Sequence, residues 1–276
     1  MELIENPAKS IHDYHVYRTR DDLPEELRPF WSSGKVSGFF DWIHHPLYVT
    51  CLPTMSPMPL DQLIREKGKR VEKMLQDGDL SGYVFTHERG YRMGKLLELV
   101  HNRRLFTPDS SRRACQTFWE LAANVWTDAE FSENDPVWSY LMNCGVPHQG
   151  FMTRMKDRKR LASMSQVIRV YRGVQAKTDI GAKRAASAGW QWTLSPKIAA
   201  FFARRFLQGG SKPYVLSGMV DRKHVKAFLT GRNEAEILIP PRQRLVKDVQ
   251  VKVISRKASL DEKLPVFAID EEDWID

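Results

Sequence analysis

Apolar side chains recur at helical spacing through the first half of the chain. Leu60, Leu63, Ile64, Val71, Met74 and Leu75 predict a helix over 61–78. Leu96, Leu97 and Val100 predict a second over 91–105. Ala114, Phe118, Leu121, Ala122 and Val125 share one face of a third over 110–129, with Ser110 or Ser111 as its cap and Pro108 just before. A short fourth helix is expected over 135–144, ended near Gly145 and Pro147, and a markedly basic fifth over 156–164. Residues 28–55 are rich in aromatics and prolines and show no readable period.

The pattern changes near Ser165. Val167-Ile168-Arg169-Val170-Tyr171-Arg172 predicts a strand stopped by Gly173. A stretch of small residues, 182–189, leads to a short strand at Trp190-Gln191-Trp192-Thr193. Ser195-Pro196 is a helix start, with serine as N-cap and proline at the first helical position. The helix that follows, 197–207, is bounded by Gly209-Gly210, and its stripe of Ala199, Ala200, Phe202, Ala203 and Phe206 suits core packing. Further short strands are expected at 214–220, 224–228, 237–239 and 249–254. The expected class is α+β. A mostly helical N-terminal region, 1–107, leads into a strand-rich domain, 108–276, whose first helices serve as a lid.

Composition narrows the class without naming a function. Apolar residues make up 42% of 276, enough for a core, and charged residues 28%. No window approaches a membrane span, and the first residues lack the basic and apolar blocks of a secretory signal, so a cytoplasmic protein without membrane contact is expected. Cys51, Cys115 and Cys144 are odd in number and widely spaced, which favours reduced thiols over disulfides or zinc. No metal site is expected. His44 and His45 are adjacent, so their side chains should point apart.

Charge is distributed unevenly. Residues 1–159 hold 21 basic and 22 acidic side chains, whereas residues 160–256 hold 19 and 5, a net of +14. Residues 257–276 hold 2 basic and 7 acidic side chains. A field of that sign favours anionic partners: a dinucleotide, a nucleic acid or an acidic protein. The acidic run Asp270-Glu271-Glu272-Asp273-Trp274 reads first as a solvated tail, and second as a shield for the basic face or a dock for a regulator.

Three elements inside the basic segment bring chemistry together. Tyr171-Arg172-Gly173 closes one strand, Trp192-Thr193-Leu194-Ser195 precedes a helix, and Glu234-Ala235-Glu236 opens the strand Ile237-Leu238-Ile239. An arginine at a strand end can grip phosphate bidentately. A glycine after it lets backbone approach a ligand. Strand alternation places Glu234 and Glu236 on one face. A fixed carboxylate can stabilise positive charge developing on a bound ligand.

In order and content these elements resemble the R-S-E class of mono-ADP-ribosyltransferases, over roughly residues 165–256. The resemblance implies a split β-sheet domain and NAD as co-substrate. It implies Glu236 as the catalytic carboxylate, oriented by Ser195 or Thr193. Arg172, Gly173, Thr193, Ser195 and an aromatic such as Phe202 would hold NAD; Phe201, Trp190 and Trp192 compete for that last role. The middle element reads Thr-Leu-Ser where the family often has Ser-Thr-Ser. The resemblance gives Glu234 to acceptors bearing guanidinium or amine nitrogens, held or deprotonated there. Arg232 and Asn233 fall in the loop that contacts the acceptor.

The acceptor has two readings. The net charge favours a nucleic acid base, as in toxin-like and anti-phage members of the fold; Glu234 favours protein arginine. An enzyme aimed at its host's macromolecules would need an inhibitor or antitoxin protein. A third reading is a non-catalytic nucleic-acid-binding module that carries a sheet of this kind.

Overall fold

Residues 28–55, unreadable from periodicity, contribute a small sheet to the first of two units. The computed structural model describes residues 14–34, 40–129, 135–205, 207, 209–232, 234–241 and 244–256. The chain divides into Met1–Leu96 and Leu97–Asp276. Both helices and antiparallel sheets are present, and the class is α+β.

In the first unit β1 (His15–Tyr17) pairs with β5 (Thr54–Ser56), and β2 (Trp31–Ser32), β3 (Asp41–His45) and β4 (Tyr48–Leu52) form a three-stranded sheet. Helices α1 (Leu60–Gln76) and α2 (Leu80–Thr86) follow. The proline before α1 cannot cap it with a side chain; instead the buried Tyr17 hydroxyl accepts from the Leu60 amide at 3.0 Å. Tyr17, Leu23, Leu27, Ile43, Leu52 and Leu60 make the core of this unit. The two adjacent histidines do point apart: His44 stacks with Trp42, and His45 meets Phe30 edge-on at 4.5 Å.

The division between units falls inside α3 (Arg92–His101). After it, Phe106 packs on Phe118 of α4 (Arg112–Asp128), 4.9 Å between ring centres. Ser111 caps α4 by accepting from Ala114 N, one of the two expected serines. Helices α5 (Asp135–Met142) and α6 (Met155–Ser163) complete the helical part.

The remainder builds one six-stranded sheet: β6 (Val167–Ala176), β7 (Gln191–Thr193), β8 (Lys212–Asp221), β9 (Ala227–Leu229), β10 (Glu236–Leu238) and β11 (Lys247–Val253). Its order is β11-β8-β6-β7-β10-β9, antiparallel throughout. β6 and β8 pair over ten residues, but β6 and β7 register only at Tyr171 opposite Thr193. The sheet therefore has a long half and a short half, joined at that pair.

Four sequence expectations need correction. β6 does not stop at Gly173; it runs on to Ala176. The small-residue stretch belongs partly to a helix, α7 (Asp179–Ala185), capped by Thr178. The strand expected at 224–228 is a 3-10 turn, Arg222–His224, followed by the shorter β9. The helix after Ser195, α8 (Pro196–Arg204), ends before the glycines. Asn233, Phe206 and the acidic tail lie outside the described residues.

One face of the sheet is the core. Val170, Leu216, Phe228 and Ile237 are fully buried there, each worth about 1.5–3 kcal/mol relative to exposure. Leu161 and Met164 from α6 and its exit, and Ala182 from α7, pack against this cluster. On the other face α8 lies across β6 at Gly173: a Cβ there would stand 1.9 Å from Ala199 O and 2.5 Å from Ala203 N. The glycine is needed by the helix that covers the strand.

Candidate active site

Residues directly opposed in an antiparallel sheet share a face. Tyr171, Thr193 and Glu236 form such a row across the junction of the two half-sheets. All three line a cleft of about 230 Å³ that also takes in Arg172, Gly173 and, from α8, Phe202. Arg232 and Glu234 line it as well. Nine site positions are expected from the sequence, and the cleft gathers seven of the eight that are described.

Ser195 is the exception. Its hydroxyl accepts from Ile198 N at 3.3 Å and so caps α8, and Ser195 is not among the lining residues. Of the two hydroxyls expected to orient Glu236, Thr193 lines the cleft and Ser195 does not. The Ser-Pro helix start satisfies an orphan amide of the first turn with a lone pair of the serine oxygen. Thr193 sits across from Glu236 instead. Its hydroxyl donates to Glu234 O at 2.7 Å and accepts from Ser195 N at 3.1 Å. With Leu194 N donating to Ala235 O at 3.1 Å, β7 clamps the backbone on the N-terminal side of Glu236.

That clamp holds an uncommon backbone. Ala235 has φ of 43°, in the left-handed region. A non-glycine residue there costs on the order of 1–3 kcal/mol. Its methyl is buried in the core with Ile237, so the two glutamates still emerge on the cleft side.

The carboxylates differ in setting. Glu236 is 8% exposed, and burial pushes its carboxyl up to about 7 from an ordinary 4.5. The neighbouring Glu234 charge adds to the rise, while Trp126 and Arg232 oppose it. Glu234 is also raised by burial, against the pull of Arg232 and Arg205. Arg232 Nη2 lies 3.1 Å from Glu234 Oε2. The loop carrying this pair is fixed from behind: Thr230 Oγ1 lies 3.0 Å from both carboxylate oxygens of buried Asp157, in the first turn of α6.

Arg172 lines the cleft and donates from Nη1 to Gly189 O at 2.6 Å. It thus anchors the turn that enters β7, and any grip on a phosphate is shared with that bond. Gly173 lines the cleft as expected, but α8 rather than a ligand imposes the missing side chain. Phe202 is the lining aromatic from α8 and meets Phe201 edge-on.

Trp126, from the third predicted helix, was not legible as a site residue. It is 2% exposed and its indole N–H closes no hydrogen bond of good geometry. It nevertheless lies close enough to Glu236 to favour the ionised carboxylate. Trp126→Phe should raise the Glu236 titration midpoint further above 7, by a fraction of a pH unit, since the indole N–H that favours the ionised carboxylate is removed but no well-formed hydrogen bond is lost. Carbon-13 titration of the glutamate carboxyls would read the shift. An unmoved midpoint would remove Trp126 from the site.

Compared with models of known families, with curated proteins and with solved structures, the chain matches none.

Proposed function

We propose that this chain is an NAD-consuming mono-ADP-ribosyltransferase of the R-S-E type. The observation that carries the proposal is Glu236, a buried carboxyl in register with Thr193 and Tyr171, sharing a cleft with Arg172 and the Arg232–Glu234 pair. The single-pair junction between two half-sheets supports an ADP-ribosyltransferase-like split-sheet fold.

The donor set suits NAD. Arg172 and Arg205 bring positive charge for a diphosphate, and Phe202 brings a ring face for nicotinamide. NAD supplies an activated glycosidic bond. Glu236 holds the ribose and, once ionised, stabilises positive charge developing at the anomeric carbon. Thr193 and Leu194 hold the backbone beside Glu236, and Trp126 holds down its proton affinity. Glu234 receives the acceptor nitrogen and takes its proton.

For the acceptor, the net +14 of residues 160–256 favours a nucleic acid base, in a toxin or anti-phage role in the cytoplasm of the producing cell. Exposed Arg154, Lys156 and Lys159 on and before α6 extend that charge beside the loop fixed by Asp157. An inhibitor or antitoxin protein would be the expected partner. One observation favours the protein-arginine reading: Glu234 already holds a guanidinium, that of Arg232. Among the described residues no helix is long and apolar enough to cross a membrane. Incubation with NAD labelled in its adenine half, against separate RNA, DNA and protein pools, decides between the readings. Label in RNA or DNA is expected; label confined to protein would transfer the assignment to arginine.

A further inference from the structure

The Arg232–Glu234 pair has a chemical consequence that rests on the proposed activity. Arg232 and Glu234 both line the cleft, and the Arg232 guanidinium is ion-paired to that glutamate at 3.1 Å. That glutamate and Arg232 both act electrostatically on Glu236, the carboxyl assigned to the ribose. A nitrogen nucleophile, a carboxylate to take its proton and the carboxylate at the electrophile are thus gathered in one cleft. Thr230, bonded to Asp157, and Thr193, bonded to Glu234 O, fix the backbone on both sides of the pair. Arg232 keeps 36% of its side chain exposed, so it has room to carry a substituent.

We propose that Arg232 is a site of self-modification: the chain transfers ADP-ribose from NAD to its own Arg232 within one molecule. A guanidinium nitrogen of Arg232 bonds to ribose C1′. The bond from C1′ to the nicotinamide nitrogen breaks, and its electron pair leaves with neutral nicotinamide. The guanidinium proton passes to Glu234 and then to water, so the substituted guanidinium keeps its single positive charge. Nothing is oxidised or reduced. The modified side chain can no longer make the same close pair with Glu234, and an external acceptor reaching Glu234 must first displace unmodified Arg232.

The test uses the full chain and NAD labelled in its adenine half, with no added acceptor. Peptide mapping by a fragmentation method that preserves the adduct should find one ADP-ribose on Arg232. The rate per chain should be independent of protein concentration. A mass-tagged Glu236→Gln chain mixed with the unaltered one should stay unlabelled, because transfer is within the molecule. Arg232→Gln should lose that label, whatever its effect on nicotinamide release. Nicotinamide release with label elsewhere or nowhere on the chain would overturn self-modification and leave the proposed activity standing. Labelling of the tagged Glu236→Gln chain would overturn transfer within the molecule. No nicotinamide release, with or without RNA, DNA or protein, would overturn the activity and this inference together.

Discussion

Gly173→Ala should destabilise the unit 97–276 by about 3 kcal/mol or more, at the upper end of what overpacking a close-packed interior costs. The added methyl would stand 1.9 Å from Ala199 O and 2.5 Å from Ala203 N, and both are backbone atoms of α8. No rotamer change relieves such a contact. The helix must lift from β6 or the strand must bend, and α8 carries Ile198, Ala199 and Phe202 into the cleft. The variant should therefore lose denaturant midpoint and ligand affinity together. Gly150→Ala is the control, because a methyl there meets nothing within 4 Å. A Gly173→Ala chain within about 0.5 kcal/mol of the parent would mean that α8 does not seat on β6 in this way.

This glycine also shows where the sequence could be read and where it could not. Tyr171-Arg172-Gly173 was legible as a strand end near a site, but local reading took the glycine as a stop. The strand passes through it, and the reason lies in a helix some 25 residues later, which only the fold brings near. Ser195 is the converse. Its serine-proline signal reads as a helix cap, and the hydroxyl does cap α8, outside the residues that line the cleft. The long amphipathic helices α1 and α4 were legible because a single apolar stripe faces each unit's interior. The strands of residues 31–52 were not, since they are two to five residues long and mostly half-buried on both faces. Trp126 lies 110 positions before Glu236, and no spacing rule connects a buried tryptophan on a helix stripe to a carboxyl that far along the chain. Arg232, Glu234 and Glu236 were readable because a five-residue span keeps them together whatever the fold.

Glu236→Gln carries the largest effect on chemistry. Glutamine keeps the shape and a hydrogen-bonding oxygen but removes the charge, so binding of NAD should persist while cleavage slows. Loss of one preorganised electrostatic group of this kind costs about 10²–10³ in rate. The same change should show in stability, with a sign set by the raised carboxyl. Glu236 binds its proton more tightly when folded, at about 7, than at the ordinary 4.5. Its contribution is fully favourable below pH 4.5 and is lost as pH rises through 7, a swing on the order of 3 kcal/mol at one pH unit per 1.36 kcal/mol. Glutamine cannot ionise, so Glu236→Gln should be more stable than the parent at pH 8, and this advantage should vanish at pH 4. Activity runs the other way: the parent's nicotinamide release should rise with pH through about 7 as Glu236 ionises.

Release of nicotinamide from NAD, followed at pH 8 for the parent chain and for Glu236→Gln with NAD binding measured in both, is the most direct test of NAD cleavage at this cleft. The account predicts release by the parent, slowed at least about 100-fold in the variant, with binding retained. Equal release by both chains, or none by the parent, would contradict it.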